Sequence, residues 1–344
     1  MDYHFNVFAP FMTTGIGSLP HRDPDEACRL ILDTCDIPFW PQLPNLSFYE
    51  LMIPQFSEGM PFLKVDAQRK TIRLEKNMSD DLMRFYENYS DEQGIAMSQE
   101  YSQGFFAFLR KIEKDHRHFL KGQVTGPLTF TLGIKESGGR HIYFDEELRE
   151  VALMVLKAKA RWQIKFLRPY TDNVVIFIDE PILSALGSTS YIGVSPAEAF
   201  RLLREIVYAV KQSGGIPGIH CCGKADWPLI IKSGVTIISF DAYDYAGTIS
   251  LYPEEFSRFL NEGGYFAWGV VPTTDAIREE NLESIRRRFE SQMDAMSDSL
   301  PGDLLHSQVL LTPSCGAGSR SIEETLKIFD ILKELSNILK DSLR

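Results

Sequence analysis

Val174-Val175-Ile176-Phe177-Ile178-Asp179-Glu180-Pro181 is the stretch that decides the fold of this chain. It is an apolar run that ends in two carboxylates, and apolar runs recur from residue 118 onward, each separated from the next by an amphipathic helical pattern. Strands that alternate with helices in this way are typical of a parallel sheet. The predicted strands of this region are 118–124, 174–179, 215–220, 235–241, 265–271 and 308–312. The predicted helices between and after them are 145–169, 196–213, 225–233, 253–262, 278–298 and 321–340.

Two further strands are predicted near the N-terminus, at residues 13–17 and 37–43, with a helix over 23–33 between them. They bring the total to eight, which favours a closed (β/α)8 barrel of the TIM type over an open sheet. No composition break divides the chain, so residues 1–344 are predicted to form a single domain with regular βα units over 116–340.

An extended insertion is predicted after the second strand, over residues 36–115. Its first part, to residue 62, is rich in proline and aromatic residues and is predicted to be irregular. Residues 63–76 alternate as in a hairpin, and residues 79–115 have apolar side chains at helical spacing.

Composition narrows the class of function. With 44% hydrophobic and 24% charged residues, the chain resembles an ordinary globular protein. It has no apolar run of about 20 residues and no signal-peptide pattern, so we expect a cytoplasmic protein that does not enter membranes. A net charge of -11 disfavours nucleic acid and anionic lipid and favours a small-molecule partner. Five cysteines do not make a disulfide framework, and free thiols are expected.

Metal-binding residue types gather at the predicted strand ends. His220 and Cys222 are two residues apart, so in an extended chain their side chains leave on the same side, while Cys221 points away. Cys315 follows another strand, and in a barrel these strand ends converge. One imidazole and two thiolates suit zinc, with Asp241 as a candidate fourth ligand. Buried free cysteines with a hydrogen-bonded histidine are the alternative interpretation.

Three other strand ends carry polar groups with two interpretations each. Asp179 can orient a substrate ammonium or act as a base, or it can cap a helix, as an acid before proline often does. The glycine turns at 125–127 and 15–18 offer backbone N–H groups to an anion such as a carboxylate, or are plain tight turns.

Five motifs together resemble the C-terminal barrel of cobalamin-independent methionine synthase, in order and in approximate spacing. The resemblance covers about residues 12–340, and the superfamily also holds uroporphyrinogen decarboxylase and zinc methyltransferases that act on methylated corrinoids. The motifs are Thr14-Gly15-Ile16-Gly17-Ser18-Leu19-Pro20, Gln123-Val124-Thr125-Gly126-Pro127, Ile178-Asp179-Glu180-Pro181, His220-Cys221-Cys222 and Pro313-Ser314-Cys315-Gly316.

The resemblance implies a zinc-dependent methyltransferase of methionine biosynthesis. Zinc held by His220, Cys222 and Cys315 would bind and deprotonate the thiol of an acceptor such as homocysteine. The family's fourth ligand is a glutamate, where this sequence has Asp241. By the same match, Ser18 and the Ile16 backbone would hold the amino-acid carboxylate of the substrate, and Asp179 would hold its ammonium.

Three departures from the family concern the methyl donor. The chain is too short for the N-terminal barrel of the full-length enzymes, the strand 265–271 is not followed by the family's general-acid histidine, and residues 36–62 do not match the folate and homocysteine segment. The donor is therefore left open between 5-methyltetrahydrofolate and a methylcorrinoid protein. The alternatives are a uroporphyrinogen-decarboxylase-like enzyme, which would want more arginines near the first strand than Arg22, and a non-catalytic carrier or regulator that binds zinc or a corrinoid.

Overall fold

The computed structural model describes residues 7–74, 79–89, 95–136 and 138–343. Within these ranges, every helix is too short or too polar to cross a lipid bilayer.

A curled, six-stranded parallel sheet is the centre of the structure. Its strands follow one another in chain order, and each pairs in parallel with the next. A separate antiparallel hairpin, β1 (Leu63–Asp66) and β2 (Thr71–Leu74), precedes them. The sheet strands are β3 (Arg117–Thr125), β4 (Thr171–Asp179), β5 (Ile216–Cys221), β6 (Ile237–Phe240), β7 (Tyr265–Val271) and β8 (Val309–Pro313). The six strands predicted from residue 118 onward are thus present.

The two predicted N-terminal strands, 13–17 and 37–43, are extended segments held by isolated bridges. Thr13 bridges to β8, and Phe39 bridges to β3. The two segments also meet each other, since the Gln42 N–H donates to the Gly17 carbonyl at 3.0 Å. Prolines within 37–44 lack the N–H that a continuous ladder needs, which explains why the second segment is not a regular strand. The described residues therefore give six regular strands in this sheet, where eight were predicted.

Helices lie between the strands and against the sheet. The predicted helices are found with shifted ends, and four short ones, α2, α5, α9 and α12, were not predicted; α2 lies within residues 36–62, which were predicted to be irregular. The α-helices are α1 (Pro24–Thr34), α2 (Met52–Ser57), α3 (Ser79–Asn88), α4 (Gln103–Ile112), α5 (Pro127–Gly133), α6 (Glu146–Leu167), α7 (Pro196–Gln212), α8 (Trp227–Lys232), α9 (Ala242–Tyr245), α10 (Pro253–Asn261), α11 (Leu282–Ser297), α12 (Gly302–Ser307) and α13 (Ile322–Asp341). Single 3-10 turns are Phe48–Glu50, Ile142–Phe144, Arg168–Tyr170, Pro181–Ala185, Thr189–Tyr191, Ala246–Leu251 and Asp275–Arg278.

The helical spacing over residues 79–115 corresponds to two separate helices. The segment contains α3 and α4, and residues 95–102 between them are not helical. Tertiary contacts hold that connection: the Ser98 N–H donates to the Glu58 carboxylate at 2.8 Å, and the Lys159 ammonium donates to the Ala96 carbonyl at 3.3 Å. The predicted hairpin at 63–76 is present as β1 and β2, with its last two residues outside the described ranges.

Two hydrophobic clusters lie on opposite faces of the sheet. Val174, Ile176 and Ile178 of β4 join the larger cluster, which packs between sheet and helices. Val175 and Phe177 join a smaller cluster inside the curl. Since side chains alternate along a strand, the residue after Ile178 returns to the inner face, at the carboxyl end of the sheet. That residue is Asp179, so the fold itself directs the carboxylate toward the inside of the curl.

Candidate metal centre and its surroundings

His220, Cys222 and Cys315 come together at the carboxyl ends of β5 and β8. The Cys222 Sγ lies 3.5 Å from His220 Nε2 and 3.2 Å from the Cys315 Sγ. One ligand atom from each of the three residues lies within 4.8 Å of the others. His220 is buried and both cysteines are partly buried, so the group is shielded from bulk water without being closed. An imidazole and two thiols at this separation can hold a metal ion.

The imidazole is fixed by a hydrogen bond on its far side. His220 Nδ1 lies 2.9 Å from the Ser239 Oγ, which is fully buried on β6. This contact leaves Nε2 facing the Cys222 sulfur. The ring therefore already has the orientation that a metal ligand requires.

We expect Ser239→Ala to weaken metal binding by about 10- to 100-fold, because the imidazole loses the contact that sets its orientation. The measurement is competition for zinc with a chelator of known affinity, for the variant and the parent protein side by side. The mutation removes only a hydroxyl, and Ser233→Ala, at another buried serine that bonds a helix carbonyl, serves as the control. Equal zinc affinity in parent and Ser239→Ala would show that this hydrogen bond does not support the site.

The thiols of Cys222 and Cys315 have different pKa values. Hydrogen bonding from the Cys222 thiol, with further help from His220, lowers the pKa of Cys315 well below its ordinary value. The same contact, together with burial, raises the pKa of Cys222. The contact between the two sulfurs thus favours the thiolate form of Cys315 beside the thiol form of Cys222.

Cys221 lies apart from this group. It is fully buried in the larger hydrophobic cluster, and its Sγ approaches the Gly223 carbonyl at 3.8 Å. Burial raises the pKa of its thiol to about 11. The alternation along β5 that predicted an outward-pointing Cys221 thus agrees with the structure.

Asp241, the candidate fourth ligand, is not part of the three-residue group. Its Oδ1 accepts the N–H of Asp244 at 3.1 Å and so caps α9. Burial raises the pKa of its carboxyl to about 6. Within the part of the chain that the structure describes, the metal-ligating types brought together are His220, Cys222 and Cys315.

The neighbouring carboxylates Asp179 and Glu180 have different surroundings. Glu180 is fully buried and caps α5 from a different strand: it accepts the N–H groups of Leu128 at 2.9 Å and Thr129 at 2.8 Å, and the Thr129 hydroxyl at 2.7 Å. A Cβ at Gly126 would lie 2.1 Å from the Glu180 carboxylate, so only glycine fits there. The capping role that the sequence allowed for the Asp-Glu-Pro motif therefore belongs to Glu180.

Asp179 has one carboxylate oxygen that makes no hydrogen bond with the described residues. Its side chain is 5% exposed, and its Oδ1 is buried with no hydrogen-bond partner. Burial raises the pKa of its carboxyl, while the charges of His220 and then Lys121 oppose that rise. A buried carboxylate oxygen without a partner is costly, and it is free for an incoming donor.

The predicted anion-binding turn at 125–127 has its N–H groups already engaged. The Gly126 N–H donates to the Asp179 carbonyl at 2.9 Å, and the next N–H groups go to Glu180. The Thr125 hydroxyl donates to the Met52 carbonyl at 2.8 Å. This turn therefore builds the wall of the site, and its amides are not available to an anion.

Ile16 and Ser18 lie beside the centre. The Ile16 carbonyl accepts the Lys121 ammonium at 2.6 Å. The Ser18 Oγ accepts the Gly318 N–H at 3.3 Å, and the Ser18 carbonyl accepts the Ala317 N–H at 2.9 Å. Segment 16–18 is thereby attached to the loop that carries Cys315.

Lys121 and Ser239 were missed in the sequence. Lys121 is a fully buried lysine in the middle of β3, and its Nζ also lies 4.4 Å from the centre of the Phe177 ring. The available signal was a lysine inside the apolar run 118–124. Ser239 carried no signal, because a serine in a strand gives no indication that a histidine from the neighbouring strand will contact it.

The loop after β7 and the end of β8 are joined by a hydroxyl pair. The Thr273 N–H donates to the Ser314 Oγ at 3.1 Å, and the two hydroxyl oxygens lie 3.2 Å apart. Ser314 directly precedes Cys315, so this pair supports the thiol-bearing loop.

Comparisons with known proteins were made for sequence and for structure. No protein-family model matches the chain, and no curated protein matches its sequence. Among solved structures, it is similar to a B12-independent methionine synthase from Shewanella sp. W3-18-1 in complex with selenomethionine, at 16% identity, 97% coverage of this chain, 99% of that chain and a TM-score of 0.59. The pneumococcal virulence factor StrH (14% identity, 82% and 72% coverage, TM-score 0.40) and the ochratoxinase of A. niger (15% identity, 53% and 42% coverage, TM-score 0.26) are too distant to bear on function. At such identities the likeness to the methionine synthase shows that the chain shares its α/β fold.

Proposed function

We propose that this protein is a zinc-dependent methyltransferase that activates a thiol, with a homocysteine-like acceptor. The observation that carries the proposal is the meeting of His220 Nε2 with the sulfurs of Cys222 and Cys315 within 4.8 Å of one another. The shared fold with a methionine synthase supports it, over nearly the whole of both chains.

The residues present fit zinc by their chemistry. Zinc would be held by His220, Cys222 and Cys315, with Asp241 proposed as the fourth ligand after release of its helix-capping contact. When bound, zinc supplies the positive charge that makes a thiol available as its thiolate at neutral pH. Ser239 keeps the imidazole in place, and the hydroxyl pair of Thr273 and Ser314 holds the loop that presents Cys315.

The amino-acid end of the acceptor is proposed to lie between two elements already described. Ser18 and the Ile16 backbone would receive its carboxylate, and the unpartnered Oδ1 of Asp179 would accept a hydrogen bond from its ammonium. We also propose that segments 12–19 and 37–42 complete an eight-membered barrel, which the backbone hydrogen bonds between the first segment and β8, and between the second and β3, support. In this arrangement segment 16–18 is held next to the loop that carries Cys315.

The methyl donor is proposed to be 5-methyltetrahydrofolate or a methylcorrinoid, and the protein is proposed to act in the cytoplasm. Zinc-loaded protein should form methionine from homocysteine when one of the two donors is supplied, and the two should be assayed in parallel. Cys222→Ser should abolish transfer, while Cys221→Ser, at the adjacent thiol outside the group, should retain it. Failure of the wild-type protein to methylate any thiol with either donor, with zinc bound, would overturn the proposal. A decarboxylated tetrapyrrole from uroporphyrinogen, formed in the same panel, would point to the other branch of the superfamily.

A further inference from the structure

Lys121 is a buried charge that the proposed chemistry does not use. It lies in the middle of β3 with none of its surface exposed. Its ammonium donates to the Ile16 carbonyl at 2.6 Å, and the Gln123 Oε1 lies 3.5 Å away. Among the described residues, no carboxylate lies within ion-pair distance of its Nζ. A lysine in an apolar strand is therefore held largely by one backbone carbonyl.

The position of Lys121 is costly, so it calls for a reason. Moving an ammonium out of water costs several kcal/mol unless it is paired, and two neutral acceptor oxygens and two aromatic rings offset only part of that cost. Burial accordingly lowers the pKa of Lys121, and the Asp179 charge counteracts the lowering. Asp179 projects to the same inner face of the sheet, two layers nearer the carboxyl end, with the layer of Gln123 and Phe177 between them. The two buried charges therefore stabilise each other across that one intervening layer of side chains.

Lys121 influences both groups that are proposed to bind the amino-acid end of the substrate, which are segment 16–18 and the Asp179 carboxylate. Its hydrogen bond fixes the carbonyl of Ile16, two residues before Ser18. Gln123 packs against the same segment, since a Cβ at Gly17 would lie 3.0 Å from its Cδ. The positive charge of Lys121 acts on the Asp179 carboxylate, whose Oδ1 has no partner. One ammonium thus supports the carboxylate-binding segment and balances the group proposed to receive the substrate ammonium.

We propose that Lys121 is a positioning residue for the amino-acid end of the thiol substrate. The inference rests on the proposed function and adds to it a residue that contacts neither the metal group nor the reacting sulfur. Without the ammonium, the Ile16 carbonyl loses its donor and the Asp179 carboxylate loses its counter-charge. Both changes weaken the binding of an α-amino acid and leave the thiol-binding group intact.

The test is Lys121→Met, which keeps the length of the side chain and removes its charge. Calorimetric titration with L-methionine should show binding weakened by at least about 10-fold, the loss expected for a charge-assisted contact. The KM for homocysteine should rise by a similar factor, with kcat changed by less than about threefold. Transfer to 2-mercaptoethanol, a thiol without amino or carboxylate groups, should be unchanged, as should zinc content.

Lys159→Met is the matched control. Lys159, on α6, is the other fully buried lysine of the described residues. Its Nζ donates to the Ala96 carbonyl at 3.3 Å, which does not belong to a strand end. The Lys159→Met variant should bind L-methionine as tightly as the wild-type protein does. If Lys121→Met does not fold, Lys121→Gln, which keeps an N–H donor but not the charge, takes its place with the same readouts.

The outcomes separate this inference from the proposed function. Unchanged L-methionine binding in the Lys121 variant, while the wild-type protein methylates thiols, overturns the role of Lys121 alone. Equal losses with homocysteine and 2-mercaptoethanol, or loss of zinc, also overturn it, because they indicate a general structural defect. A wild-type protein that binds no L-methionine and methylates no thiol overturns both proposals.

Discussion

Cys315→Ser is expected to reduce the zinc content of the purified protein from about one ion per chain to less than about a tenth of that, and to abolish methyl transfer. A serine hydroxyl is a poor ligand for zinc compared with a thiolate, and only His220 and Cys222 of the group would remain. His220→Ala, which removes the imidazole ligand, should reduce the zinc content and the methyl transfer in the same way. Elemental analysis after dialysis against a weak chelator measures the change.

Cys221→Ser is the control for this prediction, because it changes a thiol one residue from a proposed ligand. Its sulfur belongs to the hydrophobic cluster outside the curl, so the variant should keep its zinc and transfer activity. Stability is expected to fall by about 1 kcal/mol, since a hydroxyl replaces a buried thiol. If Cys221→Ser lost the metal and Cys222→Ser kept it, the assignment of the two thiols would have to be exchanged.

Glu180→Ala is expected to destabilise the protein by about 3–5 kcal/mol, the largest effect on stability that the site offers. The substitution leaves three buried donors of α5 without an acceptor, and each unsatisfied group costs about 1–3 kcal/mol before relaxation. Gly126 adds to the cost, because the absence of a Cβ there leaves a cavity once the carboxylate is gone. Denaturant unfolding at fixed pH measures the loss.

The control for Glu180 is Glu254→Ala, at an exposed acid in the first turn of α10, which should change stability by less than about 0.5 kcal/mol. A Glu180→Ala protein as stable as the Glu254 variant would mean that water replaces the lost acceptor. The two variants share the type of substitution and a position next to a helix start, so burial is the variable that differs.

Glu180 also predicts a pH dependence with a definite sign. Burial, the largest influence, raises the pKa of its carboxyl from 4.5 to about 7, in spite of the hydrogen bonds from Thr129 and Leu128. The folded state thus holds the proton more tightly than the unfolded chain does. The associated stability is present below about pH 4.5 and is lost as the pH rises through about 7. Relative to Glu180→Gln, the wild-type protein should lose on the order of 3 kcal/mol between pH 4.5 and pH 8. A difference that does not vary with pH would contradict the raised pKa.

Sequence reasoning found the parallel sheet because its signal is local and repeated. Five consecutive apolar residues before Asp179 identify a strand without reference to any distant residue, and the same holds for the strands near His220 and Cys315. The errors lie where local and tertiary preferences differ. Helical spacing over 79–115 did not reveal the break at 95–102, which depends on contacts from Glu58 and Lys159.

The motif Asp179-Glu180 also separates what local sequence indicates from what tertiary contacts decide, here for two neighbouring carboxylates. The sequence placed both carboxylates at a strand end and allowed either substrate binding or helix capping. Only the fold separates them, since alternation directs Asp179 into the curl and turns Glu180 toward the start of α5. The capping interpretation belongs to Glu180, and the substrate-binding interpretation stays a proposal for Asp179.

By itself, the sequence determined that the chain alternates strands with helices and that an imidazole and two thiols lie at strand ends, because strand periodicity and residue chemistry are local properties. The tertiary structure decided which atoms meet. It brought Cys315 to within 3.2 Å of Cys222 across 93 residues of chain, assigned Asp241 to a helix cap, and joined the Lys121 ammonium to the Ile16 carbonyl. The physical reason is that such contacts are set by the curl and register of the whole sheet, to which every strand contributes and which no single stretch encodes.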